Sequence, residues 1–276
     1  MVGSGLGLSI RYPAMNLSIK NWSKLIALAL LMTSTVGCQK DDATFTVLNV
    51  NTGLTVSLDQ TLTENGGIPS VIISTTDQQD CSNAKFMYTT SVFNNHSDLN
   101  LTGITLNGEA CQSGSAKITT SLLLDKLITL NNFTISLGSD AKFPGLVTIV
   151  GQRAKLSMQN QKGIVSNNNE IVLIESGVYW GSIALDKSLD STAVWSAQKL
   201  MKDISIKDFT PEYGDYGFFT YGQDGVSIKK DNFEGASTNF ILKINPVHSK
   251  DLIANLQKIP GIKAKVYGFN GSKISW

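Results

Sequence analysis

The sequence predicts a mainly β fold in two parts, an N-terminal antiparallel sandwich over residues 45–160 and a small α+β domain over residues 170–276. In the first part, runs rich in β-branched and aromatic residues recur roughly every 10–15 residues, and Asn, Gly, Ser and Asp clusters separate them. In the second part, strand-like runs are mixed with segments whose apolar residues recur at helical spacing. Residues 161–169, Gln-Lys-Gly-Ile-Val-Ser-Asn-Asn-Asn, are the predicted linker.

The first part contains several clear strand candidates with turn residues between them. The segment 85–93, Lys-Phe-Met-Tyr-Thr-Thr-Ser-Val-Phe, is rich in β-branched and aromatic residues, and the turn formers Asn94–Asp98 follow it. Strands are also predicted over 43–50, 68–74 and 99–106. This repeated alternation of strand and turn is typical of a sandwich.

The second part begins with two strands, over 170–174 and 178–185, and then changes to helical spacing. A first helix is predicted from the apolar residues Leu189, Ala193, Ala197, Leu200 and Met201, with Asp190 or Ser191 as its cap. A second helix is predicted over Ser249–Lys258, because Pro260 and Gly261 end it. A strand over 262–268 and a hairpin turn at Asn270-Gly271 complete the domain.

Composition excludes several classes of protein. The chain has 276 residues, of which 42% are hydrophobic, so it can bury a core. It has 23 basic and 22 acidic residues, and this balance excludes a generally basic nucleic-acid binder. A mean hydropathy of +0.02 excludes a protein with many membrane spans. With 2 histidines and no recognisable ligand motif, no metal or cofactor is expected.

One hairpin resembles a known module. Residues 91–106 consist of a valine-containing strand, an Asn-Ser turn and an apolar strand. This arrangement is similar to the B–C hairpin of immunoglobulin-like modules in bacterial surface proteins. The resemblance implies that the N-terminal sandwich is immunoglobulin-like.

The N-terminus has the three parts of a secretory signal. Lys20 and Lys24 precede the apolar run Leu25–Met32, and the small-residue stretch Thr33–Cys38 follows it. The run is too short to cross a bilayer as a helix. Its ending resembles the lipobox of bacterial lipoproteins, although Thr35 stands where that family prefers Leu. Met15 gives a leader of ordinary length and is the predicted start.

The lipobox resemblance implies a signal peptide over residues 1–38, a diacylglyceryl group on Cys38 and a tether over residues 39–44. The run Gln39–Asp42 resembles the surface-export signal of lipoproteins in the Bacteroidetes group. We therefore expect a lipid anchor at Cys38 in the bacterial outer membrane, with the domains facing either the cell surface or the periplasm. The alternatives are an ordinary signal peptide with an incidental cysteine and an uncleaved anchor.

The number of cysteines predicts one disulfide. Of the 3 cysteines, Cys81 and Cys111 remain once Cys38 is assigned to lipid. Export places them in an oxidising compartment, where such a pair is expected to form a disulfide. The alternative is two free buried thiols.

An aromatic cluster is the strongest candidate for binding. Glycines separate its aromatic residues, which are Tyr213, Tyr216, Phe218, Phe219 and Tyr221. Trp195 lies away from the apolar stripe of the first predicted helix. Aromatic faces suit sugar rings, peptide strands and partner pockets. The alternative is that all of these rings are buried against neighbouring elements.

These features support a non-enzymatic binding or assembly protein that recognises an unknown protein or an envelope glycan. No catalytic residue is assigned. One alternative is a lipid-tethered hydrolase of envelope polymers, which needs two facing carboxylates. Its candidates are Glu170, Glu175, Asp186, Asp208, Glu212 and Asp215. Another alternative is a structural spacer.

Overall fold

The structure is a computed structural model that describes residues 46–47, 53–139, 141–185, 192–229, 233 and 237–276. The chain divides into two units, Met1–Asp42 and Ala43–Trp276, and every described residue belongs to the second unit. The predicted signal peptide, the tether and Cys38 lie outside the described residues, as do Asp190 and Ser191, the predicted cap of the first helix.

The described residues are mainly β, so this part of the prediction is confirmed. The strands are, in chain order, β1 (Thr46–Val47), β2 (Leu54–Thr63), β3 (Gly66–Thr75), β4 (Gln79–Cys81), β5 (Lys85–Phe93), β6 (His96–Thr105), β7 (Ser113–Ala116), β8 (Thr119–Leu123), β9 (Leu130–Leu137), β10 (Ala141–Val150), β11 (Arg153–Met158), β12 (Ile164–Ser166), β13 (Glu170–Val172), β14 (Val178–Leu185), β15 (Gly214–Asp215), β16 (Phe219–Gly222), β17 (Gly225–Ile228), β18 (Ser237–Lys243), β19 (Ile262–Gly268) and β20 (Lys273–Ser275).

Two α-helices are described, α1 (Thr192–Ile204) and α2 (Ser249–Gln257). Each helix buries residues one turn apart, Ala197 with Met201 and Leu252 with Leu256. This spacing puts one apolar face on each helix, and the two helices contact each other. Within the described ranges, no helix has the length and apolar character needed to cross a membrane.

The strands form several sheets. A seven-stranded sheet has the order β1-β6-β9-β10-β11-β13, with β5 also paired to β6. Two four-stranded sheets have the orders β12-β2-β3-β8 and β18-β14-β19-β20. The smaller sheets are β15-β16-β17 and β4-β7.

Most strand pairs are antiparallel, as predicted, but β6 with β9 and β12 with β2 are parallel. After β6 the chain forms β8 in the sheet β12-β2-β3-β8 and then returns to the seven-stranded sheet as β9. A strand that returns after such a crossover can lie parallel to the strand that preceded the crossover. The prediction of an antiparallel sandwich over residues 45–160 is therefore wrong at the pair of β6 with β9, and β12 lies in the segment predicted as a linker.

The described residues form two hydrophobic cores. The first contains Leu54 and Ile73 from one sheet together with Leu99 and Phe133 from the seven-stranded sheet, all fully buried. The second is built around the sheet that contains β14, and both helices contribute to it.

The predicted linker, residues 161–169, contains β12, which pairs with β2. Ile164 of β12 is buried in the first core, and this apolar contact holds the short strand against its neighbour. None of the strands predicted above covers β2 itself, although Leu54, Val56 and Leu58 alternate as buried positions along it.

Candidate functional site

A single glutamine joins β2 to the second half of the chain. The side-chain amide nitrogen Nε2 of Gln60 donates hydrogen bonds to the backbone carbonyl oxygens of Val172 and Tyr216, each at 2.9 Å. The backbone N–H of Ile174 donates to Gln60 Oε1 at 2.8 Å. Gln60 is buried, so these bonds satisfy polar groups that water does not reach. They fix the position of β2 against both neighbouring segments.

Gly217 allows β2 to approach the aromatic segment closely. Its φ of +77° lies in the left-handed region, and a Cβ at this position would collide with the carboxylate oxygen of Asp59. That oxygen accepts a hydrogen bond from the backbone N–H of Gln60 at 2.8 Å. The glycine therefore brings Phe218, the next residue, beside β2.

Trp180 lies at the centre of an aromatic group. Its ring centroid is 5.7 Å from that of Phe218 and 5.2 Å from that of Phe219. On the neighbouring strand β19, Tyr267 is its register partner and stacks on it with centroids 5.9 Å apart. These separations are in the range at which aromatic rings attract each other.

A pocket of about 540 Å³ lies between β2 and this aromatic group. Its apolar lining comes from Leu62, Trp180, Phe218, Ile228 and Tyr267. Its polar lining includes Asp59, Ser272 and Lys273. A concave site of this size, mostly apolar and with a few polar groups, is typical of a ligand pocket.

The structure separates the predicted binding residues into three groups. Tyr216 and Phe219 are buried, at 3% and 0% exposure, and stack on each other with centroids 4.5 Å apart. Phe218 lines the pocket. Tyr213 is exposed and contacts the half-buried Tyr221, with centroids 5.4 Å apart. Of the predicted cluster, Phe218 is therefore the residue that reaches the pocket.

Trp195 is placed separately, on α1, where it is 63% exposed. The ammonium of Lys199, one helical turn away, lies 5.4 Å from the centre of its ring. In the part of the chain that the structure describes, no ring pair joins Trp195 to the predicted cluster. It is not part of the pocket lining.

The sequence reasoning missed Trp180, Tyr267 and Asp59. The first two lie in predicted strands, but their meeting depends on which strands are neighbours, and no short-range pattern encodes that. Asp59 lies in β2, where the alternation of buried Leu54, Val56 and Leu58 was the available signal.

Arg153 binds the start of the aromatic segment, at Glu212 and Tyr213. Its guanidinium contacts Glu170 at 2.6 Å and Glu212 at 2.9 Å, and it donates to the Tyr213 carbonyl oxygen at 2.7 Å. The hydrogen bond to Glu170 is the main cause that raises the pKa of Arg153. Both carboxylates thereby share one cation as their ion-pair partner.

The hydroxyl of Tyr216 donates to the carbonyl oxygen of Glu212 at 2.9 Å. Burial raises the pKa of Tyr216 to about 12, and the negative charge of Glu212 adds to this effect. Tyr216 is therefore a neutral, structural tyrosine.

The remaining carboxylates considered for hydrolysis are also mostly ion-paired. Asp215 accepts Lys229 at 2.5 Å, and Glu175 contacts Lys243. Asp208 is exposed, and Asp186 lies outside the described residues. The described residues also contain no group of three or more His, Cys, Asp or Glu that could hold a metal ion.

The predicted disulfide between Cys81 and Cys111 is confirmed. The two residues are bonded, their Cα atoms are 5.1 Å apart, and 30 positions separate them in the sequence. Cys81 ends β4, which pairs with β7, so the bond closes the loop that contains the β5–β6 hairpin.

Compared with protein-family models, curated proteins and solved structures, the chain matches none of them.

Proposed function

We propose that this chain is a bacterial lipoprotein, anchored to the outer membrane through lipid on Cys38 and exposed at the surface, that binds a partner without catalysing a reaction. The leader that ends in Thr33–Cys38 supports the anchor. In this proposal, residues 45–160 are an immunoglobulin-like sandwich and residues 170–276 a small α+β domain.

The pocket beside Trp180 is the observation that carries the binding proposal. Stacked rings and aliphatic side chains form most of its wall, while Asp59, Ser272 and Lys273 supply polar groups. Such a wall gains free energy mainly by covering apolar surface, at about 25 cal/mol per Å². An apolar side chain of a protein partner fits it better than a glycan, which needs many hydrogen-bonding partners.

The carboxylate positions favour binding over hydrolysis. Asp59 is the carboxylate in the pocket lining, whereas a glycosidase needs two facing carboxyl groups. Glu170 and Glu212 share Arg153, and Asp215 is paired with Lys229. The hydrolase alternative therefore has no carboxylate pair in this pocket.

Anilinonaphthalene sulfonate, an anionic fluorescent dye whose aromatic rings bind apolar surface, tests the pocket. We expect the folded protein to bind it and Ser272→Trp, which adds a large side chain to the pocket lining, to weaken binding by about tenfold, a loss of roughly 1.4 kcal/mol. Ser275→Trp is the matched control, because Ser275 is exposed and does not line the pocket.

Equal binding by both variants would show that the dye binds elsewhere and would remove the pocket from the proposal. Retention of the protein on isolated envelope polysaccharide, lost in Ser272→Trp and kept in Ser275→Trp, would favour a glycan over a protein partner.

A further inference from the structure

Strand β5 is an edge strand whose outer side has no partner strand among the described residues. After the buried Phe86, every residue from Met87 to Phe93 is exposed. Val92 and Phe93 are 72% and 76% exposed. Edge strands usually carry prolines, charged residues or bulges that prevent pairing with another chain. The segment 86–93 has no proline and no charged residue. In β5 such features are found only near its start, as the charge of Lys85 and the register shift between Met87 and Tyr88.

The inner face of this strand is also open. Tyr88 and Thr90 lie opposite Leu101 and Leu99 of β6, which are fully buried. Residues opposite each other in a ladder point to the same side of the sheet, so Tyr88 and Thr90 share the core face but remain exposed. The core face of β5 is therefore accessible to another chain, as its outer edge is.

The hairpin turn determines which backbone groups face outward. Asn94 and Asn95 have φ of 45° and 62°, as in a two-residue type I′ turn. In such a hairpin the closing pair, Phe93 and His96, exchanges both backbone hydrogen bonds. Because the pattern alternates, the N–H and C=O groups of Tyr88, Thr90 and Val92 point away from β6.

We infer that β5 pairs antiparallel with β5 of a second copy of this chain, with Thr90 on the two-fold axis. In this register the outward groups of Tyr88 meet those of Val92 of the second copy, and Thr90 meets its own equivalent. Aromatic–β-branched and Thr–Thr pairs are among the favourable cross-strand pairs. The same strand thus forms both sides of the interface, as a two-fold dimer requires.

The other face of the strand and its charges agree with this register. Met87 lies opposite Phe93 of the second copy, a sulfur–aromatic pair, and Thr89 lies opposite Ser91. Lys85, the only charged residue of β5, lies opposite Asn95, so no like charges meet. The same register joins the two seven-stranded sheets into one continuous sheet.

Disulfide cross-linking of the full chain tests the register. In a Cys38→Ala background the other native cysteines are bonded to each other, so an introduced cysteine is the only free thiol. Thr90→Cys is on the axis and should cross-link to itself under mild oxidation. Tyr88→Cys alone should give about tenfold less dimer, because its two copies are too far apart to bond, but it should cross-link when mixed with Val92→Cys.

A matched pair of lysine variants provides the second measurement. Thr90→Lys places two lysines opposite each other on the axis, whereas Thr89→Lys adds the same charge opposite Ser91. By sedimentation velocity we expect a dimer for the parent chain and Thr89→Lys and a monomer for Thr90→Lys, with unchanged circular dichroism. A monomeric parent chain, or equal cross-linking of Thr90→Cys and Tyr88→Cys alone, would overturn the inference.

Discussion

Gln60 Oε1 accepts a hydrogen bond from the backbone N–H of Ile174 at 2.8 Å, across a separation of 114 residues in the sequence. With its bonds to the carbonyl oxygens of Val172 and Tyr216, this side chain replaces water for three backbone groups. It places β2, and with it Asp59 and Leu62, at the wall of the pocket.

Gln60→Leu should lower the free energy of unfolding by about 3 kcal/mol, because it leaves buried backbone groups unpaired while it keeps the side-chain volume. Urea denaturation measures this loss. Gln198→Leu, on the exposed side of α1, is the matched control and should change stability by less than about 0.5 kcal/mol. Equal effects of the two substitutions would contradict the role assigned to Gln60.

Tyr216→Phe should remove about 1 kcal/mol of stability at neutral pH, since it deletes the hydrogen bond to the Glu212 carbonyl oxygen. The substitution should also change how the free energy of unfolding depends on pH in the alkaline range. A folded-state pKa of about 12 lies above the ordinary value of 10.0, so the wild type has the full contribution of the neutral phenol below pH 10.

That contribution, on the order of 2 kcal/mol, is lost as the pH rises from 10 to about 12. The stabilities of wild type and Tyr216→Phe measured across this range should therefore cross, because this loss exceeds the advantage of about 1 kcal/mol that the wild type has at neutral pH. Parallel curves up to pH 12 would show that the pKa of Tyr216 is the same in the folded and unfolded chain.

Gly145→Ala should destabilise the first core by about 1–3 kcal/mol, because a Cβ there would collide with the ring of the fully buried Phe133. Gly222→Ala is the control, since nothing lies within 4 Å of its Cβ position and its φ lies outside the left-handed region. Thermal unfolding should show a lower Tm for the first variant only. A neutral Gly145→Ala would mean that Phe133 can move aside.

The disulfide should contribute about 3–4 kcal/mol, the loop-closure entropy for a separation of 30 residues. We expect the double variant Cys81→Ser with Cys111→Ser to lose this amount in urea denaturation. Adding a reductant to the wild type should reproduce the loss, and adding it to the double variant should have no effect. If the reductant destabilises both equally, the loss does not come from this bond.

The sequence was informative wherever short-range patterns determine structure. Helical spacing predicted α1 and α2, and the cysteine count predicted the bond between Cys81 and Cys111. Long-range pairing was not predictable in this way. No local signal indicates that β9 lies parallel to β6, or that β12 pairs with β2 inside an apparent linker.

The candidate site was predicted only in part for the same reason. The aromatic residues near Tyr213 were evident, but which of them are buried depends on the neighbours of β14 and β19. Trp180 and Tyr267 meet because those strands are paired, and Gln60 reaches Val172 because β2 crosses to the second half of the chain.

Metabolic labelling with a palmitate analogue tests the proposed membrane anchor most directly. We expect label on the wild type and none on Cys38→Ala, with both proteins expressed at similar levels. Label that persists in Cys38→Ala, or a wild type that takes up none, would contradict the proposed lipid anchor and the surface location that rests on it.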